Sequence, residues 1–314
     1  MGPTDSTLRL LVGYDGHDSG RDALALAIVL AETTDAEIVL GIVIEDMAPS
    51  AAPHAPDEAL GARTDTLFSQ ASAELSRLAP GMRAEHRAIA GRSPADGLAE
   101  LATSEDASLL VIGSTRRGTL GRLIPGTTAD GLIARSGRTI AVAPRGYADR
   151  EDRDFRLIAV AYDGSAEAKR ASQVAAALAL RASAPLRAFG VCPPLASQVG
   201  PDMTVPSLHS DLGERMEREL DELLDVLPAS LAGQKVVLEG DPADALLGLG
   251  ARAADVMVFG SHGFSRIERL LGGSVTSAIV RAAHWPVIVV PSQGPLVFAS
   301  EEIDAAMSIE PASG

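Results

Sequence analysis

The chain has 314 residues, of which 46% are hydrophobic and only 3% aromatic, and its formal net charge is −15 at neutral pH. This length and apolar content are enough for two globular domains with cores of small aliphatic residues, and they exclude a disordered chain. The acidic balance disfavours binding to nucleic-acid backbones or to anionic membranes, because both require a basic surface.

A single cysteine, Cys192, excludes an intramolecular disulfide and is typical of a reducing compartment. No apolar run approaches the roughly 18 residues of a membrane-spanning helix. The N-terminus lacks the basic and apolar regions of a secretory signal. We therefore expect a cytoplasmic protein without membrane or nucleic-acid partners.

Short apolar segments alternate along the chain with longer segments of helical spacing. In the first half, the predicted strands are 8–14, 37–44, 83–90, 107–112 and 138–143, and the predicted helices are 19–33, 57–79, 94–104 and 127–136. In the second half, the predicted strands are 156–162, 185–192, 234–239, 254–259 and 286–290, and the predicted helices are 166–182, 208–227, 242–252 and 274–284. Strands that alternate with helices favour an α/β fold with a parallel sheet and helices on both faces.

The two halves of the chain are copies of each other. LLVGYDGHDSGRDALALAIVLA (10–31) aligns with IAVAYDGSAEAKRASQVAAALA (158–179), and LLVIGS (109–114) aligns with VMVFGS (256–261). The offset stays near 148 positions throughout. The repeat predicts a duplicated domain.

The repeat also predicts the domain boundaries. We expect domains at 1–147 and 154–293, joined by the polar segment 145–155 and followed by a C-terminal tail at 294–314. In open parallel sheets, ligands bind beyond the C-terminal strand ends where the strand order reverses. The loops after the first and fourth strands of each domain are therefore the candidate sites.

A glycine-rich loop follows the fourth predicted strand of the second half. Gly260 and Gly263 are followed by Gly273 and then by Ser274, which begins a predicted helix. Glycine lets a ligand approach the backbone without meeting a Cβ, and free N–H groups at a helix start favour an anion. Each glycine alone fits an ordinary turn, but the combined pattern favours a phosphate site. The Gly-Lys-Ser/Thr and G-x-G-x-x-G phosphate motifs are both absent.

The corresponding loop of the first half departs from this pattern at one position. It keeps Gly113, Gly126 and Thr127 but has Arg116 where the second glycine is expected. The Arg116 guanidinium could bind a phosphate directly. Alternatively, its side chain fills the space that the phosphates need and leaves a weak or empty site.

The turn after the first predicted strand contains Tyr-Asp-Gly in both halves, with Asp15 in the first and Asp163 in the second. A carboxylate at the C-terminal end of such a strand can accept hydrogen bonds from a ribose or hold a phosphate-bound Mg²⁺. It can equally cap the following helix. Its repetition beside a glycine-rich loop favours the ligand-binding interpretation.

Three segments together resemble the universal stress protein family over nearly the whole chain, as two tandem copies. These are the G-x₂-G-x₉-G-S loop at 260–274, AVAYDGS at the first strand and PVIVVP at the fifth strand of the second half. The resemblance implies two tandem Rossmann-like domains, each with a five-stranded parallel sheet of order 3-2-1-4-5. It also implies binding of an adenine nucleotide, usually ATP.

The resemblance further implies which residues contact that nucleotide. The strand-one acid contacts the nucleotide, the backbone at the end of strand two contacts the adenine, and the glycine loop holds the phosphates. In the second half, the implied residues are Asp163, which can also hold Mg²⁺, and Gly164, Val191, Gly260, Ser261, His262, Gly263, Gly273 and Ser274. In the first half, they are Asp15, Val43, Gly113, Arg116, Gly126 and Thr127. We expect His262 to contact phosphate or solvent and predict no catalytic residue.

The leading hypothesis is an ATP-binding stress-response regulator that forms a homodimer and acts through conformation or regulatory protein partners, with slow hydrolysis at most. A cAMP-binding protein, a nucleotide hydrolase or adenylate-transferring enzyme, and a ligand-free scaffold are open alternatives. The Pro- and Ser-rich segments 47–57 and 193–207 are either lids over the base or plain connectors.

Overall fold

Residues 1–153 form one structural unit of the chain, and residues 154–314 form a second. The structure is a computed structural model. It describes residues 7–45, 57–114, 128–192, 206–261 and 275–298.

The first unit is a five-stranded parallel sheet with a helix between consecutive strands. Its strands are β1 (Arg9–Gly13), β2 (Glu37–Glu45), β3 (Ala84–Gly91), β4 (Leu109–Gly113) and β5 (Thr139–Ala143). Its helices are α1 (Asp18–Thr34), α2 (Asp57–Leu78), α3 (Pro94–Ser104) and α4 (Thr128–Arg135), and a 3₁₀ turn (Tyr147–Asp149) follows β5. The sheet order is β3-β2-β1-β4-β5.

The second unit repeats this arrangement. Its strands are β6 (Ile158–Tyr162), β7 (Leu186–Cys192), β8 (Gly233–Glu239), β9 (Val256–Gly260) and β10 (Val287–Val290). Its helices are α5 (Ala166–Ala182), α6 (Pro206–Asp225), α7 (Pro242–Gly248) and α8 (Val275–Ala282). The parallel order is β8-β7-β6-β9-β10. The predicted α/β class and the order 3-2-1-4-5 are therefore confirmed in both units.

Small aliphatic side chains build the two cores. Every residue of β5 and of β6 is buried, as expected for strands covered by helices on both faces. The helices that follow the first strands, α1 and α5, bury alanine-rich faces, which lets each helix approach its sheet closely. The edge strands β3 and β8 are more exposed, so their sequences are correspondingly more polar. Burial of each Val or Leu side chain contributes roughly 1.5–3 kcal/mol to folding.

The repeated Pro-Ala-Asp segments are helix starts. Ser93 accepts a hydrogen bond from the Asp96 N–H, and Asp241 accepts bonds from the first turn of α7. Proline occupies the next position in both cases, where its missing N–H costs no helical hydrogen bond.

Two segments differ from the sequence-based expectations. Helix α7 ends at Gly248 rather than at residue 252, and Gly250 beyond it has a φ of +71°. The polar segment predicted as a linker contains the 3₁₀ turn, in which Tyr147 is only 1% exposed. Residues after β5 are therefore packed onto the first unit, because the Tyr147 ring is apolar and is buried there although its segment is charged. Among the described residues, no helix is both long and apolar enough to cross a membrane.

Candidate functional site

In the second unit, the strand register brings three predicted site residues to one edge of the sheet. The β6–β7 pairing ends at Tyr162 and Gly190, so Asp163 and Val191 lie level just beyond it. The β6–β9 register carries Ser261 to the same level on the other side of Asp163. Asp163 therefore lies between β7 and β9, at the point where the strand order reverses.

The first unit has the same arrangement. The β1–β2 pairing ends at Gly13 and Gly41, so Asp15 and Val43 lie level two residues further on. Gly113 ends β4 on the other side of β1. The C-terminal edge of this sheet therefore brings together the described members of the predicted site.

The backbone directions of Val43 and Val191 follow from hydrogen bonds of neighbouring residues. The Gly41 carbonyl accepts from the Tyr14 N–H at 3.0 Å, so alternate residues of β2, including Val43, direct their backbone groups toward β1. The Cys192 carbonyl accepts from the Gly240 N–H, one residue past β8, at 3.0 Å, so Val191 points the other way, toward β6. In both units, the carbonyl of this residue points past the last ladder pair of the central strand. A carbonyl at that place can accept a hydrogen bond from the amino group of a planar base.

In the second unit, the Asp163 turn is held together by short hydrogen bonds. The Ser165 N–H and hydroxyl both donate to Asp163 Oδ1, at 3.0 and 2.5 Å. Gly164 has a φ of +76°, and a Cβ there would lie 2.6 Å from Glu219 Oε2. Glu219 also pairs with Arg215 at 2.8 Å. The turn therefore requires glycine and has a second carboxylate from α6 against it.

In the first unit, the Asp15 turn has different partners. Asp15 accepts from the His17 N–H through Oδ1 and from the Ser19 hydroxyl through Oδ2, both at 3.0 Å. The Asp15 side chain is 51% exposed and that of His17 is 72% exposed. Gly16 has a φ of +77°, and Leu67 rather than a carboxylate packs against it. The first turn is therefore the less acidic of the two, and its carboxylate is open to solvent.

The glycines that end the fourth strands have a packing role as well as the predicted ligand role. A Cβ at Gly113 would lie 2.0 Å from the Ser19 carbonyl oxygen at the start of α1. A Cβ at Gly260 would lie 2.8 Å from the Glu167 carbonyl carbon at the start of α5. The helix that follows the central strand therefore packs directly on the end of its neighbour, and only glycine leaves room for it.

The glycine-loop prediction is described only at the two ends of each loop. In α8, the Thr276 hydroxyl donates to the Gly260 carbonyl at 3.3 Å, so the helix begins beside the strand end from which the loop leaves. The predicted residues that lie outside the described part of the chain are Arg116, Gly126, Thr127, His262, Gly263, Gly273 and Ser274.

Buried tyrosines lie directly before both acids. Burial, followed by the charges of Glu219, Asp163 and Glu222, raises the pKa of Tyr162 to about 12. Burial also raises the pKa of Tyr14. Both phenols are buried and therefore remain neutral at physiological pH.

Cys192, at the end of β7, is buried as predicted from the sequence. Burial, together with the charges of Glu239 and Glu217, raises the pKa of its thiol. The thiol therefore stays protonated and unreactive, and it acts as a small core side chain.

The acidic oxygens fit a nucleotide-bound Mg²⁺ better than a metal held by protein alone. Carboxylate oxygen is the ligand that Mg²⁺ prefers, and Mg²⁺ is commonly held by one or two carboxylates together with substrate phosphates. Within the described ranges, His, Cys, Asp and Glu side chains form no group of three that could hold a metal ion. Asp163 is therefore a candidate for one ligand of a metal that a nucleotide brings with it.

Sequence reasoning missed three features of the site. Glu219 lies 55 residues along the chain from Gly164, which it contacts, and the helix packing on Gly113 and Gly260 is also long-range. The direction of the Val191 backbone depends on the strand register. The repeated Tyr-Asp-Gly indicates where the turn lies in the sequence. It does not indicate which distant residues contact that turn.

Comparisons with known proteins agree with this architecture of two tandem Rossmann-like units. The model of the universal stress protein family matches residues 7–144 and again residues 154–291. The chain therefore belongs to the universal stress protein family, as a member with two copies of the domain.

Individual relatives match either most of this chain or about one copy of the domain. A universal stress protein of Mycobacterium tuberculosis (strain ATCC 25618 / H37Rv) is 25% identical over 295 residues, which cover 90% of this chain and 100% of the relative. A universal stress protein of Thermus aquaticus is 33% identical over 142 residues, 43% of this chain and 98% of its own length. The crystal structure of a universal stress protein from Archaeoglobus fulgidus DSM 4304 covers 92% of this chain and 100% of its own, with a TM-score of 0.66 at 18% identity. That structure supports the fold.

Proposed function

We propose that this protein is an ATP-binding regulator of the stress response. The nucleotide lies at the C-terminal edge of each sheet, with the base on the backbone of Val43 or Val191 and the ribose or Mg²⁺ on Asp15 or Asp163. The phosphates lie along the glycine loops that leave from Gly113 and Gly260. Binding changes conformation or partner affinity, and hydrolysis is slow at most.

One observation carries this proposal. In both units, a residue near the end of the second strand, Val43 or Val191, directs its backbone carbonyl past the last paired residue of the central strand, beside a carboxylate. This placement supplies a hydrogen-bond acceptor for a base and another for a sugar at one edge of the sheet. The glycine-rich loop of the second unit adds a phosphate site by its sequence, which favours a nucleotide over a nucleoside.

The first test is the ligand that the protein carries. Freshly purified protein is denatured, and the released nucleotides are identified by mass spectrometry and counted per chain. We expect ATP. Release of cAMP would instead favour the cyclic-nucleotide alternative. The absence of any nucleotide, together with no binding when ATP and Mg²⁺ are added, would overturn the proposal in favour of a scaffold.

The second test locates the site. We expect Asp163→Ala to weaken ATP binding to the second unit by roughly tenfold, the cost of losing a charged hydrogen-bond acceptor. Asp15→Ala should do the same in the first unit. Glu37→Ala is the matched control, because it removes an exposed carboxylate at the opposite edge of the sheet. Equal affinities for all three variants by calorimetric titration would contradict the assigned site.

The same protein is proposed to act as a cytoplasmic homodimer with regulatory protein partners. Sedimentation velocity of the purified chain measures its oligomeric state directly, and a monomer at micromolar concentration would contradict the dimer.

A further inference from the structure

Residues 144–153 follow β5 and pack on the first unit. We call them the exit segment, because they precede the second unit in the chain. Its Tyr147 ring is 1% exposed, and the Arg150 guanidinium lies 5.1 Å from the ring centroid. The Tyr147 hydroxyl donates to the Arg153 carbonyl at 3.3 Å, and Arg153 Nη1 donates to the Ala148 carbonyl at 3.0 Å. The segment is therefore a defined piece of structure.

A buried carboxylate on α1 holds this segment in place. Asp22 is only 3% exposed. Its Oδ2 accepts from the Gly146 N–H at 2.9 Å, and its Oδ1 accepts from the Ala148 N–H at 2.8 Å. We call these two hydrogen bonds the Asp22 latch. A buried carboxylate is costly without such partners, so the latch and the burial of the exit segment depend on each other.

The same helical turn of α1 is bonded to the candidate ligand site. Asp15 accepts from the Ser19 hydroxyl, and the Ser19 carbonyl packs against Gly113. Ser19 and Asp22 are three residues apart, about 4.5 Å along the helix axis and near one face of it. If a ligand on Asp15 moves this turn of α1, Asp22 moves with it, and the hydrogen bonds of the latch change. No other helix or strand is needed for this connection.

The second unit places an opposite charge at the equivalent position. Arg170, which aligns with Asp22 at the 148-residue offset, donates to the Pro291 carbonyl at 3.0 Å and to the Gly294 carbonyl at 2.7 Å. Gly146 and Gly294 both have positive φ, +74° and +96°. Both units thus tie the segment after the fifth strand to the helix after the first strand. Asp22 accepts hydrogen bonds from backbone N–H groups, whereas Arg170 donates hydrogen bonds to backbone carbonyls. The connection is therefore present in both units, although the residue type that makes it differs.

We infer that the first turn of α1 couples the Asp15 turn to the exit segment, so that a ligand at Asp15 controls how firmly residues 144–153 are held. Control by a ligand at Asp15 rests on the proposed function, whereas the structural coupling between the Asp15 turn and the exit segment does not. A nucleotide that orders the Asp15 turn stabilises the latch, and by thermodynamic reciprocity a broken latch weakens nucleotide binding to the first unit by the same factor. Ligand binding to the first unit then changes the stability of the exit segment, which precedes the second unit in the chain.

The coupling is tested first without ligand, by hydrogen–deuterium exchange of the peptide that contains the two latch amides. Asp22→Asn should accelerate their exchange, because an amide side chain cannot accept from both N–H groups. Asp15→Ala and the milder Ser19→Ala should each accelerate it by about fivefold, a modest allosteric coupling. Glu37→Ala should leave it unchanged. Unchanged protection of β1 and β4 amides shows that each variant is folded.

Exchange that is accelerated by Asp22→Asn but not by Asp15→Ala or Ser19→Ala would overturn the coupling, and no acceleration by Asp22→Asn would overturn the latch. Addition of ATP to the wild-type protein should slow latch exchange, and Asp22→Asn should lower ATP affinity of the first unit by the same factor. If Asp15→Ala loosens the latch but ATP does not bind, the proposed function fails while the coupling stands. If ATP binds to the first unit and the latch exchange is unchanged, the coupling fails while the proposed function stands.

Discussion

At the scale of single residues, Gly113 and Gly260 have a packing role in addition to the ligand role that we propose for them. Each ends the fourth strand of its unit, and each is covered by the backbone of the helix that follows the central strand of that unit, α1 or α5. The absence of a Cβ therefore brings that helix, with the Asp turn before it, close to the end of the fourth strand.

Gly113→Ala should destabilise the protein because its Cβ would overlap the Ser19 carbonyl oxygen, 2.0 Å away. The helix must shift to accept it, at a cost of about 3 kcal/mol. Gly61→Ala is the control, since a Cβ at that exposed position in α2 meets nothing within 4 Å. There we expect a gain of about 0.5–1 kcal/mol from the better helix propensity of alanine. Urea denaturation measures both, and a loss of stability in both variants would contradict the packing explanation.

Glu74 provides a pH-dependent contribution to stability. Hydrogen bonds from Arg77 and then from Arg21, at 2.7 and 3.0 Å, lower its pKa from the usual 4.5 to about 2, against the opposing effect of burial. Because the folded pKa is depressed, this stabilisation is fully present above pH 4.5 and is lost as the pH falls through 2. Both arginines are partly solvated, which reduces the contribution to about 1–2 kcal/mol at pH 7.

Glu74→Gln should therefore destabilise the protein at pH 7 and have almost no effect near pH 2. Chemical denaturation at a series of pH values gives the difference in free energy of unfolding between variant and wild type. Glu32→Gln, at an exposed position of α1, serves as the control and should show no such dependence. A Glu74→Gln effect that is constant with pH would show that the charge on the carboxylate is not responsible.

At the scale of elements, the helices after the two central strands begin differently. Ser165 is the N-cap of α5, and its hydroxyl accepts from the Ala168 N–H. His17 occupies the N-cap of α1 with extended backbone angles but makes no side-chain cap bond. The imidazole instead lies 2.9 Å from the Asp15 carbonyl. The second copy therefore has a stronger helix start, and the first copy uses this position within the turn.

Replacement of these caps should change stability in opposite directions. Ser165→Ala removes a bond to the first turn of α5 and should cost about 1 kcal/mol. His17→Ser introduces a preferred N-cap at the matched position of α1 and should stabilise the protein by roughly 0.5–1 kcal/mol. Thermal unfolding of the two variants beside the wild type measures the changes. A destabilised His17→Ser variant would mean that the histidine contacts are worth more than a cap.

At the scale of the whole molecule, the two copies have the same fold but differ in the residues around the candidate site. Both have the same strand order, the same acid after the central strand and the same backbone direction at the end of the second strand. They differ where side chains approach the Asp turn, with Leu67 in the first unit and Glu219 in the second. They also differ in the glycine loop, where the sequence has Arg116 in place of Gly263. The two copies therefore present two chemically distinct candidate sites on one fold.

Arg116→Gly should restore a phosphate loop in the first unit. We expect the affinity of that unit for ATP to rise by roughly tenfold, because the arginine side chain no longer fills space needed by the phosphates. Arg117→Gly is the matched control, since it removes the same charge one residue away. Calorimetric titration measures affinity and stoichiometry for both. A loss of affinity in Arg116→Gly alone would instead show that the guanidinium binds the phosphate.

Much of the fold was predictable because its signals are local. Buried strands and amphipathic helices appear as periodic patterns, and the duplication appears as a constant offset. The boundaries of α5 were predicted to the residue, whereas α7 was predicted too long because its end depends on a turn with positive φ. Asp15 and Asp163 were also identified locally, since the repeated Tyr-Asp-Gly marks a turn in any fold.

The sequence by itself determined the class, the repeat, the strand order implied by family resemblance and the acids of the candidate site. Only the tertiary structure decided which groups surround those acids. Asp22 and the Gly146 N–H that it binds are 124 residues apart, and no local pattern reports such a pair. The direction of the Val43 backbone likewise depends on the register with β1, and the need for glycine at position 113 depends on a helix that packs across it. Periodicity is a property of neighbours along the chain, whereas these contacts arise only when the parallel sheet brings distant segments to one edge.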